Sequence, residues 1–361
     1  MTCWPATAIF VALSIASRRR AVVNTLDIPA CQTLQLSPGE ALPAALLEST
    51  VPVKLPGYIA HWQAVQLGIE SSEALSKQIL TYYTGEALGL FYGKPEIQGR
   101  FFYNDTLTGF NFDKVAATLD TVLQRLHQEA NVAEPHSLFI GGTHLQHYLP
   151  GFEHHNPPVP VPHAQPRNGL WIGNQTRVAI HQDLPLNIAC CVAGSRRFTL
   201  FPPNQTANLY IGPLDVTPSG QPVSLVDLHN IDYQKYPKFK TALQHAQVAE
   251  LEPGDALFIP SMWWHEVSAL APFNVLVNYW WRTTPDYVDA PVNALYHALL
   301  AIAHLPGNEK QIWQDMFNHY VFESTPDANA HIPEHARGPL GEMNDAMARR
   351  LRSVLLQSLN R

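Results

Sequence analysis

The chain has 361 residues, 46% hydrophobic and 15% charged, with a formal net charge of −7. This composition excludes a disordered or low-complexity chain, which would carry less apolar content and more charge, and leaves ample chain for one large domain or two modest ones. The negative balance argues against a general nucleic-acid-binding surface. Four cysteines, with Cys190 and Cys191 adjacent, are too few for a disulfide framework, so a reducing cytoplasm is the expected setting.

Thr2 to Ala16 is apolar but shorter than the ~20 residues a membrane-spanning helix needs, and its arginines follow it, the reverse of a secretory signal. Residues 1–23 therefore read as a disordered extension or a mis-called start, with a weak membrane anchor or export signal as the alternative. Ser71 to Tyr83 and Asp113 to Glu129 show helical periodicity, the latter with Val115, Leu119, Val122, Leu123 and Leu126 in one stripe. Arg100 to Tyr103 and Ser137 to Ile140 read as strands, and the proline-rich Glu153 to Pro166 as a semi-rigid loop. From Leu170 to Trp281 short apolar runs alternate with turn residues. Asn187–Val192 and Arg197–Phe201, separated by Ala193-Gly194-Ser195, have a hairpin signature, and Ala256–Pro260 and Phe273–Trp281 read as later strands. An insertion over Gly212 to His245 contains a helix expected from Tyr233. This punctuation predicts a sandwich or barrel of the jelly-roll type. Pro285–His304, Glu309–Tyr320 and Leu340–Leu359 read as C-terminal helices, suited either to packing on the core or to pairing with a second copy as a homodimer.

The chemistry concentrates in His181-Gln182-Asp183 and His265. In a strand, side chains at i and i+2 share a face, so His181 and Asp183 project together. With His265 from a neighbouring strand they would form a facial triad of two imidazoles and one carboxylate, the ligand set of non-haem Fe(II) oxygenases. His127-Gln128-Glu129 is an internal control: it sits in a helical pattern, where i and i+2 lie about 200° apart and cannot chelate one ion.

The context is more specific than the triplet. His181-Gln182-Asp183 is followed thirteen positions on by Arg196, then by Leu200-Phe201-Pro202-Pro203, by Gly254-Asp255-Ala256-Leu257-Phe258-Ile259-Pro260-Ser261-Met262-Trp263-Trp264-His265, and by Asn278-Tyr279-Trp280. In this order over residues 170–282 the chain resembles the JmjC, or cupin-like (bacterial cupin-8 type), branch of Fe(II)- and 2-oxoglutarate-dependent oxygenases. The resemblance implies a mainly β fold with α elements: a double-stranded β-helix (jelly-roll, cupin) core over 170–284, mixed α/β elements over 24–169 packed on it, and a helical appendage over 285–361. It implies His181, Asp183 and His265 as metal ligands and catalytic centre, with Arg196 holding the distal carboxylate of 2-oxoglutarate and Asn187 and Asn278 contacting cosubstrate or ordering the metal site. Many relatives use lysine where Arg196 stands. Val178 and Phe139 stand where some relatives have threonine and tyrosine hydroxyls, which puts more of the anchoring on Arg196. Trp280 reads as packing, and the alternative for Arg196, as for its neighbour Arg197, is a solvated turn charge. His144, His147, Tyr148, His154, His155 and His229 read as solvated loop residues or, alternatively, as a substrate mouth.

The implied activity couples O2 activation to decarboxylation of 2-oxoglutarate to succinate and CO2, giving a hydroxylated product, or a demethylated one if the target is an N-methyl group. The expected substrate is a peptide side chain, then a small molecule or a modified RNA base. No zinc-ligand cluster or chromatin-reader segment steers the chain to histones. The competing readings are a non-catalytic cupin-fold metal-binding or regulatory protein and a cupin metalloenzyme such as a sugar isomerase, which usually has a further histidine cluster around the dyad.

Overall fold

The computed structural model describes residues 27–162, 165–325 and 327–360, so the expectation for residues 1–23 lies outside the described residues. In chain order the strands are β1 (Gln32–Thr33), β2 (Val53–Leu55), β3 (Leu88–Gly93), β4 (Arg100–Phe101), β5 (Asp113–Ala117), β6 (Ser137–His144) and β7 (Arg167–Gly173). They continue with β8 (Arg177–Gln182), β9 (Leu186–Ala193), β10 (Arg196–Phe201), β11 (Gln247–Leu251), β12 (Ala256–Ile259), β13 (Trp264–Ala269) and β14 (Asn274–Trp281). Two sheets face each other. The larger has nine strands in the order β1-β2-β12-β9-β14-β7-β6-β3-β5, and the smaller has five in the order β11-β10-β13-β8-β4. The strand pairs are antiparallel except β1 with β2 and β4 with β8. This is the expected jelly-roll core, and its larger sheet is continued by strands from the first half of the chain.

The centre of the larger sheet is buried on both faces, which explains why β9 reads as a continuous apolar run rather than an alternation. Ile188, Cys190 and Val192 belong to the outer core cluster, together with Leu75, Ile79 and Leu123 of the helices Ser72–Tyr82 and Leu119–Glu129, and the helix Gln63–Glu70 lies directly against β9. Ala189 and Cys191 point the other way and meet Phe198 and Leu200 of the smaller sheet. Each fully buried Leu, Ile or Phe contributes about 1.5–3 kcal/mol of transfer free energy. The adjacent cysteines thus occupy opposite faces of one strand, as buried thiols.

The segment between β10 and β11 covers the outer face of the smaller sheet. Leu209, Val226, Phe239 and Ala242 seal over Ile180, Phe201 and Trp264. Its helix is Phe239–Gln244, shorter than expected, because Asp232 folds the chain into a turn by accepting from Gln234 N and Lys235 N at 2.9 and 3.0 Å, and Pro237 interrupts the run. Two other expectations need correction. Asp113–Ala117 is an edge strand paired with β3, and the helix starts only at Leu119. Val115, assigned to the helical stripe, is exposed on that strand. Ala193-Gly194-Ser195 is not a hairpin turn: β9 and β10 lie in different sheets, and the turn carries the chain across the sandwich. Local turn chemistry is the same in both cases, and only long-range pairing decides between them.

The described residues form two compact units, divided in the sequence between Trp281 and Arg282. The second contains the helices Pro291–Ala301, Gly307–Phe317 and Asp345–Leu359. The first starts later than expected because Pro291 occupies its first turn, and the last starts at the Asn344 cap, whose side chain accepts from Ala346 N and Met347 N. No helix among the described residues is long and apolar enough to cross a membrane.

Gly194 sits at φ +70°, and a Cβ there would fall 2.3 Å from Asn274 Oδ1 and 2.5 Å from the Phe273 carbonyl oxygen. Gly194→Ala is expected to lower the unfolding free energy by about 1–3 kcal/mol from the backbone conformation alone, read as an earlier denaturant midpoint; an unchanged midpoint would show that the crossing turn tolerates a side chain.

Candidate metal centre

β13 pairs with β8 so that His265 lies opposite His181 and Val267 opposite Val178. Between these pairs β13 advances two residues (267 − 265) and β8 three (181 − 178), so β8 carries one extra residue, a β-bulge. An unbroken strand would put Val178 and His181 on opposite faces; with the bulge both line the same cavity between the sheets. Asp183 follows just past the end of β8, and its carbonyl is tied to Met262 N at 2.8 Å.

His181, Asp183 and His265 each offer one ligand atom, all within 4.8 Å of one another. The imidazole centroids are 4.3 Å apart, and His265 Nε2 is 3.9 Å from Asp183 Oδ2. His181 Nδ1 bonds the Ala179 carbonyl and His265 Nδ1 the Trp263 carbonyl, both at 2.9 Å. A carbonyl can only accept, so each Nδ1 carries a proton, which leaves Nε2 as the atom whose lone pair a metal would take from the neutral ring. Burial, reinforced by the neighbouring His181, pushes the His265 imidazole down to about 4, against the opposing pull of Asp183 and the Trp263 carbonyl. The ring is therefore neutral at neutral pH, the state that coordinates. Protons bind it more readily in the unfolded chain, so its contribution to stability is lost as pH falls from the ordinary histidine range toward 4.

Arg196 opens β10 and lines the same cavity of about 110 Å3. It is 4% exposed, its Nε has no hydrogen-bond partner, and among the described residues it forms no ion pair. Burial lowers its guanidinium to about 10, still protonated at neutral pH. Asn187 of β9 and Asn278 of β14 are both buried at the cavity wall. They belong to one chain of hydrogen bonds, with Trp171 Nε1 donating to Asn278 Oδ1 at 2.7 Å and Asn278 Nδ2 donating to Asn187 Oδ1 at 3.3 Å. The NH2 of Asn187 is left to donate to a further acceptor.

All six residues singled out from the sequence thus line or face one cavity, and Val178 and Phe139 share its wall. Arg197 points elsewhere and pairs with Glu250 at 3.5 Å. The histidines near the proline-rich loop are not in the cavity wall: His147 bonds Glu86 at 3.1 Å and His155 bonds Tyr82 at 2.9 Å. His229 bonds Ser268 at 3.2 Å in the wrap over the smaller sheet, and His127 bonds Ser76 at 3.0 Å on its helix. Trp280, expected as packing, donates Nε1–H to Asp183 Oδ2 at 3.3 Å. Its place two residues from Asn278 on one strand, hence on the same face, was the available signal. Ser219 and Gln221, from the tip of the insertion, also line the cavity; no spacing rule connects such a loop to the barrel.

Asp183→Ala is expected to abolish binding of a divalent metal measured by titration calorimetry, with the thermal transition retained, whereas His127→Ala leaves binding unchanged. Full metal affinity in the Asp183 variant would remove the triad from the account.

A family model described as "Cupin-like domain" matches residues 38–287. Similar curated proteins include the Arabidopsis thaliana "Lysine-specific demethylase JMJ31", 31% identical over 127 residues (34% of this chain and 23% of that protein). The Homo sapiens "HSPB1-associated protein 1" is 32% identical over 153 residues (40% and 31%), and the Danio rerio "tRNA wybutosine-synthesizing protein 5" is 36% identical over 106 residues (29% and 29%). The matches thus span less than a third of each relative's length. With the family model covering more than half of the sequence and a jelly-roll core beneath it, the chain belongs to the cupin-like, JmjC-type family.

Proposed function

We propose that the chain is an Fe(II)- and 2-oxoglutarate-dependent oxygenase that hydroxylates a protein side chain or a small molecule, with the jelly-roll core over 170–284 as its catalytic module. The observation that carries this reading is Arg196. A protein that only holds a metal has no use for a protonated guanidinium buried beside it with an unpartnered Nε. Leaving a charged donor unsatisfied in the interior is costly, and an anion reaching it recovers that cost.

The residues fit the group they would hold. His181, Asp183 and His265 are two imidazoles and a carboxylate, the donor set that suits Fe(II) and leaves positions for other ligands. When bound, the iron supplies the reductive activation of O2 that is coupled to decarboxylation of 2-oxoglutarate. Arg196 would bind the distal carboxylate of the cosubstrate with charge-assisted hydrogen bonds, and its position on β10 sets how deep that carboxylate sits. Asn187, held by the Trp171–Asn278 chain, would donate to a cosubstrate oxygen. Phe139 and Val178 offer no hydroxyl to share the load, and together with Phe198 and Leu276 they keep the cavity apolar, which strengthens the Arg196 interaction.

Charge accounting within the cavity supports an uncharged substrate group. Among its described lining residues the carboxylate is Asp183 and the guanidinium is Arg196, and both are committed to metal and cosubstrate. Ser219, Gln221 and the indoles of Trp171 and Trp280 are neutral, so no acidic group remains to receive a substrate ammonium. This favours C–H hydroxylation over demethylation of a cationic lysine. A peptide side chain remains the first choice, ahead of a small molecule or modified RNA base.

The C-terminal helices belong to the same proposal as a homodimer surface, since Leu300, Ile312, Phe322 and Leu356 are all exposed; sedimentation as a monomer would remove that part.

With Fe(II), ascorbate and 2-oxoglutarate under air, the protein is expected to release succinate. Arg196→Ala should raise the 2-oxoglutarate KM about 100-fold, as for loss of a buried charged partner, with metal affinity within a few-fold of wild type; Arg196→Lys should fall between. Absence of succinate from the metal-loaded wild-type protein would favour the non-catalytic metal-binding alternative.

A further inference from the structure

We infer that Trp280 is a positioning residue for the metal's carboxylate ligand: its indole N–H fixes the orientation of Asp183, and the chain reserves a slot to hold that indole in place. The inference rests on the metal-centre reading above and adds a residue to it.

Asp183 is the least constrained of the three ligands. The histidines stand opposite each other on paired strands and are each locked by a carbonyl, whereas Asp183 lies beyond the last residue of β8. Among the described residues, its carboxylate accepts one hydrogen bond, from Trp280 Nε1 to Oδ2 at 3.3 Å. Oδ2 is also the oxygen 3.9 Å from His265 Nε2. One lone pair of that oxygen is thus committed to the indole while another remains available beside the imidazoles. A carboxylate held this way is presented to the metal in one rotamer; without the donor it must be ordered when the metal binds.

The indole is itself placed by its surroundings. β14 runs beside β7, and Asn278 lies opposite Gly169. A Cβ at Gly169 would fall 2.8 Å from Trp280 Cζ3 and 2.9 Å from Asn278 Oδ1, so glycine leaves room for the ring and for the amide at once. Trp171 meets Trp280 edge-on, with centroids 5.8 Å apart and planes at 67°. Gly169, Trp171 and Trp280 thus form a seat whose polar end faces the metal ligand.

The probe is Co(II), titrated anaerobically into the full chain by calorimetry, with the visible spectrum of the bound ion as a second readout. Trp280→Phe keeps a ring but deletes the N–H, and is expected to weaken Co(II) about 10-fold or more, in the range found for loss of an outer hydrogen bond to a metal ligand, with an altered Co(II) spectrum and an unchanged melting temperature of the metal-free protein. Gly169→Ala, which pushes on the indole without touching Asp183, should weaken Co(II) in the same direction. Trp281→Phe, on the opposite face of β14 against Phe258, serves as the packing control and should leave Co(II) affinity unchanged. Trp280→Phe or, should that variant not fold, Gly169→Ala binding Co(II) as tightly as wild type, with the same spectrum, overturns the inference and leaves the triad standing. Wild-type protein that takes up no Co(II) overturns the metal-centre reading itself.

Discussion

The site depends on the register between β8 and β13. The pairing puts His181 against His265, and a single extra residue in β8 turns both Val178 and His181 into the sandwich. Without it, either the imidazole or the apolar wall on which the cosubstrate would rest would face the insertion. Shifting a strand by one residue exchanges its faces, so the register must be held firmly. The segment between β10 and β11 does this from outside: Trp264, immediately before His265, is buried with Phe201 and Phe239, and its indole donates to Thr206 Oγ1 at 2.9 Å. Packing on the outer face of the smaller sheet thereby fixes chemistry on its inner face.

The same sheets explain how a charged Arg196 is kept in the interior. It starts β10, its strand neighbours are Leu251 of β11 and Ala269 of β13, and the adjacent Arg197 alternates outward to Glu250. Position along a strand thus separates a surface ion pair of small energetic value from a desolvated guanidinium that has no ion-pair partner among the described residues. Among the described residues that line the cavity, Arg196 is the one guanidinium and Asp183 the one carboxylate. This distribution makes the reading of the site more specific than the triad alone.

Much of this was legible in the sequence. The spacing of His181 and Asp183, the run from Gly254 to His265 and the assignment of Asn187 and Asn278 to core strands all survive in three dimensions. The misreadings occurred where local pattern and long-range pairing diverge. Ala193-Gly194-Ser195 has hairpin chemistry but joins two sheets. Asp113–Ala117 continues a helical stripe on paper, yet an edge position beside β3 claims its backbone. Trp280 reads as packing because an indole looks apolar in sequence, and its hydrogen bond to Asp183 depends on where the end of β8 comes to rest. Ser219 and Gln221 had no signature at all, since an insertion folds back according to the surface it covers.

The most direct test is a crystal structure of the protein grown anaerobically with Fe(II) and 2-oxoglutarate, with anomalous diffraction collected across the iron edge. The expected result is one strong peak bonded to the Nε2 atoms of His181 and His265 and to the Asp183 carboxylate, with the distal carboxylate of the cosubstrate on Arg196. Iron held by other residues, or a cosubstrate whose distal end avoids Arg196, would contradict it.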